Sequence, residues 1–257
     1  MTLQETVPCS IQDMLRPLAK EGLRFSCHPG VPCFTECCRD LNLLLTPYDI
    51  VRLRNRLAMD AGEFLDRYAE VRFDEGKNLA MVYLQMQEND RRTCPFVSAA
   101  GCEIYADRPS ACRIYPLARA SRMDRRHGNV LENYFVLQEA HCKGFDEDHV
   151  WAAEEWIEDQ GLELYHELNN LWMAIITHAR LRKGALPDKQ QQMFFLASYN
   201  IDKFRKFVLE SRFLQAFDLP EQEVEALSRD DEALLRLAFK WLSFSLCNGP
   251  ALKMRQQ

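Results

Sequence analysis

Apolar residues at Ile11, Met14, Leu15, Leu18 and Ala19 follow the spacing of one helical face, which predicts a short helix over Ile11–Lys20 closed by Gly22. Leu23-Arg24-Phe25-Ser26 then reads as extended, and Pro29, Gly30 and Pro32 forbid a regular helix just beyond it. A helix start follows, with Thr46 as N-cap, Pro47 at the first position and Asp49 near the positive end of the dipole. Ile50, Leu53, Leu57 and Ala58 form its buried stripe. Asp60 caps a second helix, with Glu63 as capping-box partner and Phe64, Leu65 and Tyr68 on the apolar side. These two helices are expected to form a lid or platform. Leu79–Gln87 is closer to period two than to a helix, and Val130–Gln138 is a second β-rich run containing Tyr134, Phe135 and Val136. Together they predict a small antiparallel sheet framing the segment between them.

Past Glu147 helical periodicity takes over. Trp151, Trp156, Ile157, Leu164, Leu168, Leu171, Trp172, Ile175 and Ile176 mark a helical stretch over Val150–Arg182, broken near Gly161. A helix over about Asp188–Ala216 should end before Pro220, and another over about Glu221–Leu246 before Gly249-Pro250. The fold class is therefore mainly α with a small antiparallel β element. A cysteine-rich half, 1–147, precedes a helical region, 148–257, whose Met and aromatic stripes read as core.

Ten cysteines change the picture, because eight fall between Phe25 and Cys142. Cys27, Cys33, Cys37 and Cys38 form a first block on a loop, where folded-back chain converges sulfurs that a helix or strand cannot. Cys94, Cys102, Cys112 and Cys142 form a second. Cys9 and Cys247 lie apart and read as ordinary thiols. Spacing alone fits a disulfide framework or a metal site, so the redox compartment decides. The opening residues lack a basic n-region and a continuous apolar stretch, so a reducing cytoplasm is expected. A chain of 257 residues, 47% of them hydrophobic, can also bury a core without disulfide staples. Metal ligation is the reading this favours. A net charge of −6 and a pI near 5.6 argue against a general nucleic-acid surface. No apolar run is long enough to span a membrane.

Thiolates are soft ligands, suited to an iron–sulfur cluster or to zinc. The candidate ligands are Cys27, Cys33, Cys37, Cys38, Cys94, Cys102, Cys112 and Cys142. Side chains at adjacent Cys37 and Cys38 diverge, which suggests a multinuclear centre or two nearby sites, or one buried thiol among the ligands. Eight thiolates call for cations nearby, and Arg108, Arg113, Arg119, Arg122, Arg125 and Arg126 interleave or follow the second block. Arg108 and Arg113 are expected to support the ligand sulfurs by hydrogen bonding. His28 and His141 read as bystanders or sulfur partners, and Tyr105 and Tyr115 as shields against water. Neither a Gly-x-Gly-x-x-Gly motif nor a P-loop is present.

The Cys37-Cys38 block, Cys94-Pro95-Phe96, Gly101-Cys102-x-Ile104-Tyr105 and Arg108-Pro109-x-x-Cys112-Arg113-x-Tyr115-Pro116 together resemble the YkgJ-type family of bacterial cysteine-cluster proteins. The resemblance covers about residues 23–145 and implies a zinc- or iron-chelating domain. The first block is looser than the family's Cys-x-x-Cys-x-x-Cys-Cys, with five residues between Cys27 and Cys33 and three between Cys33 and Cys37. Flagellin lysine methylases carry a similar cysteine segment, so the resemblance also implies a protein-modifying enzyme as a possible relative. A radical S-adenosylmethionine site fits poorly, since Cys38 follows Cys37 at once. Two functions are thus expected. One is an iron–sulfur or zinc protein in electron transfer or redox sensing, with a protein or redox partner. The other is a lysine methylase-like transferase whose helical tail forms the substrate surface.

Overall fold

The computed structural model describes residues 14–73, 79–123, 130–181, 186–249 and 252–255. The chain is mixed α/β and 45% helical, so helix is the larger part; the strands of the cysteine-rich half form small antiparallel sheets.

The expected helix over Ile11–Lys20 is corrected. Residues 11–13 lie outside the described residues, and Leu15–Pro17 form strand β1, which pairs antiparallel with β8 (Val130–Leu137). Pro17 explains the difference: it lacks the N–H an interior helical position needs, yet is tolerated on an edge strand. β8 also pairs with β7 (Leu117–Met123), giving the order β1-β8-β7. The expected strand near Leu79–Gln87 is β4 (Ala80–Leu84), but its partner is β3 (Ala69–Phe73). On its other side, Leu45 donates to Val82 at 2.8 Å and Leu84 to Leu43 at 2.9 Å. The two β-rich runs therefore occupy separate sheets, each joined to a nearer neighbour in sequence. Two further ribbons pair β2 (Leu23–Arg24) with β9 (Val150–Trp151), and β5 (Val97–Ser98) with β6 (Gly101–Cys102).

The first two helices begin where the caps place them. α1 (Pro47–Arg56) has a full capping box between Thr46 and Asp49, and it stops before Ala58, whose φ is +52°. α2 (Ala61–Tyr68) takes its cap from Asp60, which accepts from the Glu63 N–H. A short helix, α3 (Ser110–Ile114), carries Cys112. The break at Gly161 separates α4 (Ala153–Asp159) from α5 (Glu163–Ile176).

The long helix expected over Asp188–Ala216 is three: α6 (Asp188–Tyr199), α7 (Ile201–Glu210) and α8 (Phe213–Ala216). Asn200 causes the first break by leaving helical geometry and accepting from the Lys203 N–H as the next N-cap. Asp230 likewise splits the last expected helix into α9 (Glu221–Leu227) and α10 (Asp231–Cys247).

One hydrophobic core joins α1, α2 and β4 to α5, α6, α7 and α10, with Trp172, Tyr48, Phe64, Phe194 and Phe204 among its fully buried side chains. A smaller cluster gathers Leu23, Phe25, Leu117, Ala153 and Trp156, with Tyr115 and Cys142 packed against it. The cysteine segments lie along these two clusters. No helix among the described residues is long and apolar enough to cross a membrane.

Candidate metal centre

Backbone pairing brings the two cysteine blocks together. Turn bonds run from Phe34 to Val31, Glu36 to Cys33 and Cys38 to Thr35, winding the first block into a tight loop. Thr35, at φ +68°, supplies the left-handed residue that this winding needs. The Cys94 N–H then donates to the Cys38 carbonyl at 2.8 Å, and Asp40 to Arg92 at 2.8 Å. On the other flank Ser26 donates to Gly144 at 3.0 Å, laying the Cys27 segment beside Cys142. Gly144 is required there, because a Cβ would sit 2.5 Å from the Phe25 ring and 2.7 Å from the Ser26 carbonyl. The Lys143 N–H donates to the Cys33 sulfur at 3.0 Å, linking Cys33 to the residue after Cys142.

All eight candidate thiols are unpaired by disulfides, and seven are partly buried, Cys27 being exposed as a residue. Electrostatic coupling shows how they are grouped. Partial burial pushes the Cys27 thiol up to about 11, reinforced by Cys37, Cys33 and Cys142. Cys94 is also pushed up to about 11, again by burial first, with Cys102 and Cys37 adding to it. Burial raises Cys112 as well, and Cys94, Asp49, Cys102 and Cys37 act in the same direction. Cys37 is raised chiefly by its contact with Cys38. Cys37 is thus the thiol whose charge is felt at Cys27, Cys94, Cys102 and Cys112 alike.

As the side chains stand, no three His, Cys, Asp or Glu groups among the described residues are close enough to hold one ion. The donor set itself, sulfur only and gathered in one region, fits a soft metal. A cation would oppose the burial, and the repulsion between neighbours, that raise the Cys27, Cys94 and Cys112 thiols.

Arg108 and Arg113 are each 8% exposed, and neither has a carboxylate partner among the described residues. Their hydrogen bonds run to protein oxygens rather than to sulfur. Arg108 donates to the Tyr105 carbonyl at 2.5 Å and to the Gln160 side chain. Arg113 donates to the Gln160 carbonyl at 2.7 Å and the Ala106 carbonyl at 2.6 Å. Arg113 lies over the Tyr165 ring at 4.9 Å, and Arg108 over Tyr105 at 3.8 Å. Arg108 is still close enough to lower the Cys27 and Cys102 thiols. Tyr105 is 59% exposed and covers the arginine rather than the thiols.

Two groups that support the site were missed in the sequence. Asp49, 0% exposed, accepts from Thr46 N–H at 2.8 Å, Ser110 N–H at 2.7 Å and Ser110 Oγ at 3.1 Å, anchoring the Cys112 helix to α1. Burial holds its carboxyl above the usual range, opposed by these bonds. Gln160 holds both arginines. The capping role of Asp49 was legible, but its second engagement depends on a contact 61 residues away.

The histidines are engaged elsewhere: His28 Nε2 is 3.2 Å from Glu147, and His141 is 3.8 Å from Glu139. A cavity of about 440 Å³ opens beside Cys37, lined in part by Glu36, Arg39, Arg91, Glu139 and His141. Cys247 is buried in the main core, away from the cluster. Arg119 pairs with Glu132 on the β7–β8 hairpin. Cys9, Arg125, Arg126 and the Arg122 side chain lie outside the described residues.

The class this arrangement defines is a cysteine-rich domain packed against helices. Residues 26–148 match the model of the family described as "CxxCxxCC: Putative zinc- or iron-chelating domain". No curated protein and no solved structure matches the chain.

Proposed function

We propose that Cys27, Cys33, Cys37, Cys38, Cys94, Cys102, Cys112 and Cys142 hold an iron–sulfur centre that serves electron transfer or redox sensing in a reducing compartment. The observation that carries the reading is the pair of buried guanidinium groups, Arg108 and Arg113, with no carboxylate partner among the described residues. Buried cations are costly unless compensated; Arg108 is coupled to Tyr105 and Arg113 and then to the Cys102 and Cys112 thiols, and it also acts on Cys27. Four thiolates around a divalent ion or on a cluster carry a net charge of about −2, which two arginines offset. Iron is preferred over zinc because Cys37 neighbours thiols of both blocks and is followed by Cys38. That arrangement suits a centre of more than one metal atom better than a single tetrahedral ion.

When bound, such a centre supplies one-electron chemistry. The protein's part is to gather the sulfurs, exclude water with Phe25, Phe145 and Trp156, and supply positive charge from Arg108. Zinc in the same thiols would instead be structural. The cavity beside Cys37 favours a second reading, a lysine methylase-like transferase that binds its substrate next to the centre.

The test is metal and acid-labile sulfide analysis with a visible spectrum on protein purified without oxygen. Iron with stoichiometric sulfide is the expected result, and zinc without sulfide would overturn the redox reading. Cys37→Ser, Cys94→Ser and Cys112→Ser should each lower metal content and stability together, because binding and folding are coupled. Unchanged metal in all three would refute the site. For the second reading, transfer of a labelled methyl group from S-adenosylmethionine to a protein lysine would support it; no transfer by the metal-loaded chain would remove it.

A further inference from the structure

The cavity beside Cys37 lies where three segments of the cluster meet: the loop at 36–41, the turn at 90–92, and the stretch through Glu139 and His141 that leads to Cys142. The first two walls are fastened together, the Asp40 N–H donating to the Arg92 carbonyl and the Cys94 N–H to the Cys38 carbonyl, both at 2.8 Å. Cys37 is the cysteine that reaches this space. Cys94, Cys102 and Cys112 instead pack against the main core, and Cys142 against the cluster that holds Phe25, Phe145 and Trp156. An ion cannot cross such apolar surface without losing its water, which is costly, so approach to the sulfurs needs a polar path. At about 440 Å³ the cavity has room for a hydrated divalent ion, whose six waters take up about 180 Å³ at about 30 Å³ each.

The charged groups of the lining divide into two sets. Glu36 pairs with Arg39 and Arg91, each at 2.7 Å, and Asp40 with Arg92 at 3.1 Å, so two carboxylates answer the three arginines. Asp90 forms no ion pair among the described residues, and Glu139 has the His141 imidazole as its ion-pair partner, at a loose 3.8 Å. We propose that this cavity is the port through which a divalent metal ion enters and leaves the thiol cluster, exchanging water for Asp90, Glu139 and His141 before it reaches Cys37. The inference rests on the metal-centre reading above. Carboxylates held away from arginine raise the local concentration of cations at the opening, and the paired arginines keep its walls in place.

The test mixes the full, chelator-stripped chain with cobalt(II) and follows uptake by the sulfur-to-metal charge-transfer band. Asp90→Asn should slow uptake severalfold, Asp90→Arg should slow it further, and Glu139→Gln should act as Asp90→Asn does. Release to a chelator, extrapolated to zero chelator, should slow by the same factor in each variant, with affinity and spectrum unchanged. A contact made only in transit is absent from the free and the bound states alike, so it alters entry and exit equally. Exposed Cys27 marks the alternative approach, flanked by the His28–Glu147 pair. Glu147→Gln removes the same charge there and should leave both rates alone.

Unchanged uptake in the Asp90 and Glu139 variants of a chain whose wild type loads would overturn the port alone, as would uptake slowed equally by Glu147→Gln. Affinity lost without slower release would also overturn it, because the carboxylates would then belong to the bound site. A wild-type chain that takes up no metal would overturn the metal-centre reading and the port with it.

Discussion

Replacing Asp49 by Asn tests whether the helix carrying Cys112 is held by a buried carboxylate. In the wild type, one oxygen accepts from Ser110 N–H at 2.7 Å, and the other from Thr46 N–H at 2.8 Å and Ser110 Oγ at 3.1 Å. Asparagine keeps the shape but puts an NH2 group against one of these backbone donors. One charge-assisted bond is lost, at about 1.5–3 kcal/mol, and one N–H is left unsatisfied, at about 1–3 kcal/mol. Relief from burying a charge offsets part of this, leaving about 2–3 kcal/mol of destabilisation. For a chain of this size that corresponds to a fall in melting temperature of roughly 4–12 °C. Because Ser110 opens the Cys112 helix, metal should also be released faster than in a variant equally destabilised elsewhere, such as an alanine in the distal core. Thermal melts of chelator-stripped and loaded protein, with timed metal release, measure both effects. A loss below about 0.5 kcal/mol, or release no faster than in the matched core variant, would refute the clamp. Ser110→Ala leaves its own N–H bonded and should cost only about 1 kcal/mol.

Other outcomes follow from the same structure. Cys247→Ala should leave metal content unchanged while destabilising the core by about 1 kcal/mol, whereas Cys112→Ser should lose metal; paired metal analysis checks the contrast. Asn200→Ala should cost about 1 kcal/mol by removing the cap between α6 and α7, measured by urea unfolding. Acid sensitivity should have two windows. His166 is pushed down to about 4, by burial first and then Arg119, so the folded state resists its protonation and stability falls as pH drops from 6.5 towards 4. Glu132 is held down at about 2, first by its bond with Arg119, so its contribution is full above 4.5 and fades towards 2. Each amounts to about 1–2 kcal/mol after solvent screening. His166→Gln should flatten the upper window and Glu132→Gln the lower one in pH-dependent melts.

The local signals carried much of this fold. Thr46 and Asp60 begin helices as their side chains dictate, and Gly161 breaks one where its φ of +58° permits. Periodicity failed where a single residue outweighed it: Pro17 turned a helical face into an edge strand, and Asn200 and Asp230 interrupted uniform apolar stripes. Strand partners were illegible because pairing is non-local. The alternation in β4 does not say that β3 lies on one side and Leu43–Leu45 on the other. In the candidate site the cysteines announced themselves by spacing. Their supports did not, since Asp49 reads as an ordinary cap, Gln160 as a surface amide and Gly144 as any glycine. Only contacts across 47 and 61 residues give Gln160 and Asp49 their roles.

The way the two buried arginines are held bears on what the helical half is for. Arg108 donates to the Gln160 side chain, while Arg113 donates to its carbonyl and lies over Tyr165. Gln160 caps α4 and Tyr165 stands in the first turns of α5, so the groups that orient both cations come from beyond the cysteine blocks. A positive charge near thiolates is useful only if it cannot swing into solvent, and a guanidinium fork held at two points meets that condition. The helices therefore contribute to the electrostatics of the thiol cluster, whatever surface they also present. Moving Gln160 changes the field at the sulfurs without touching a cysteine.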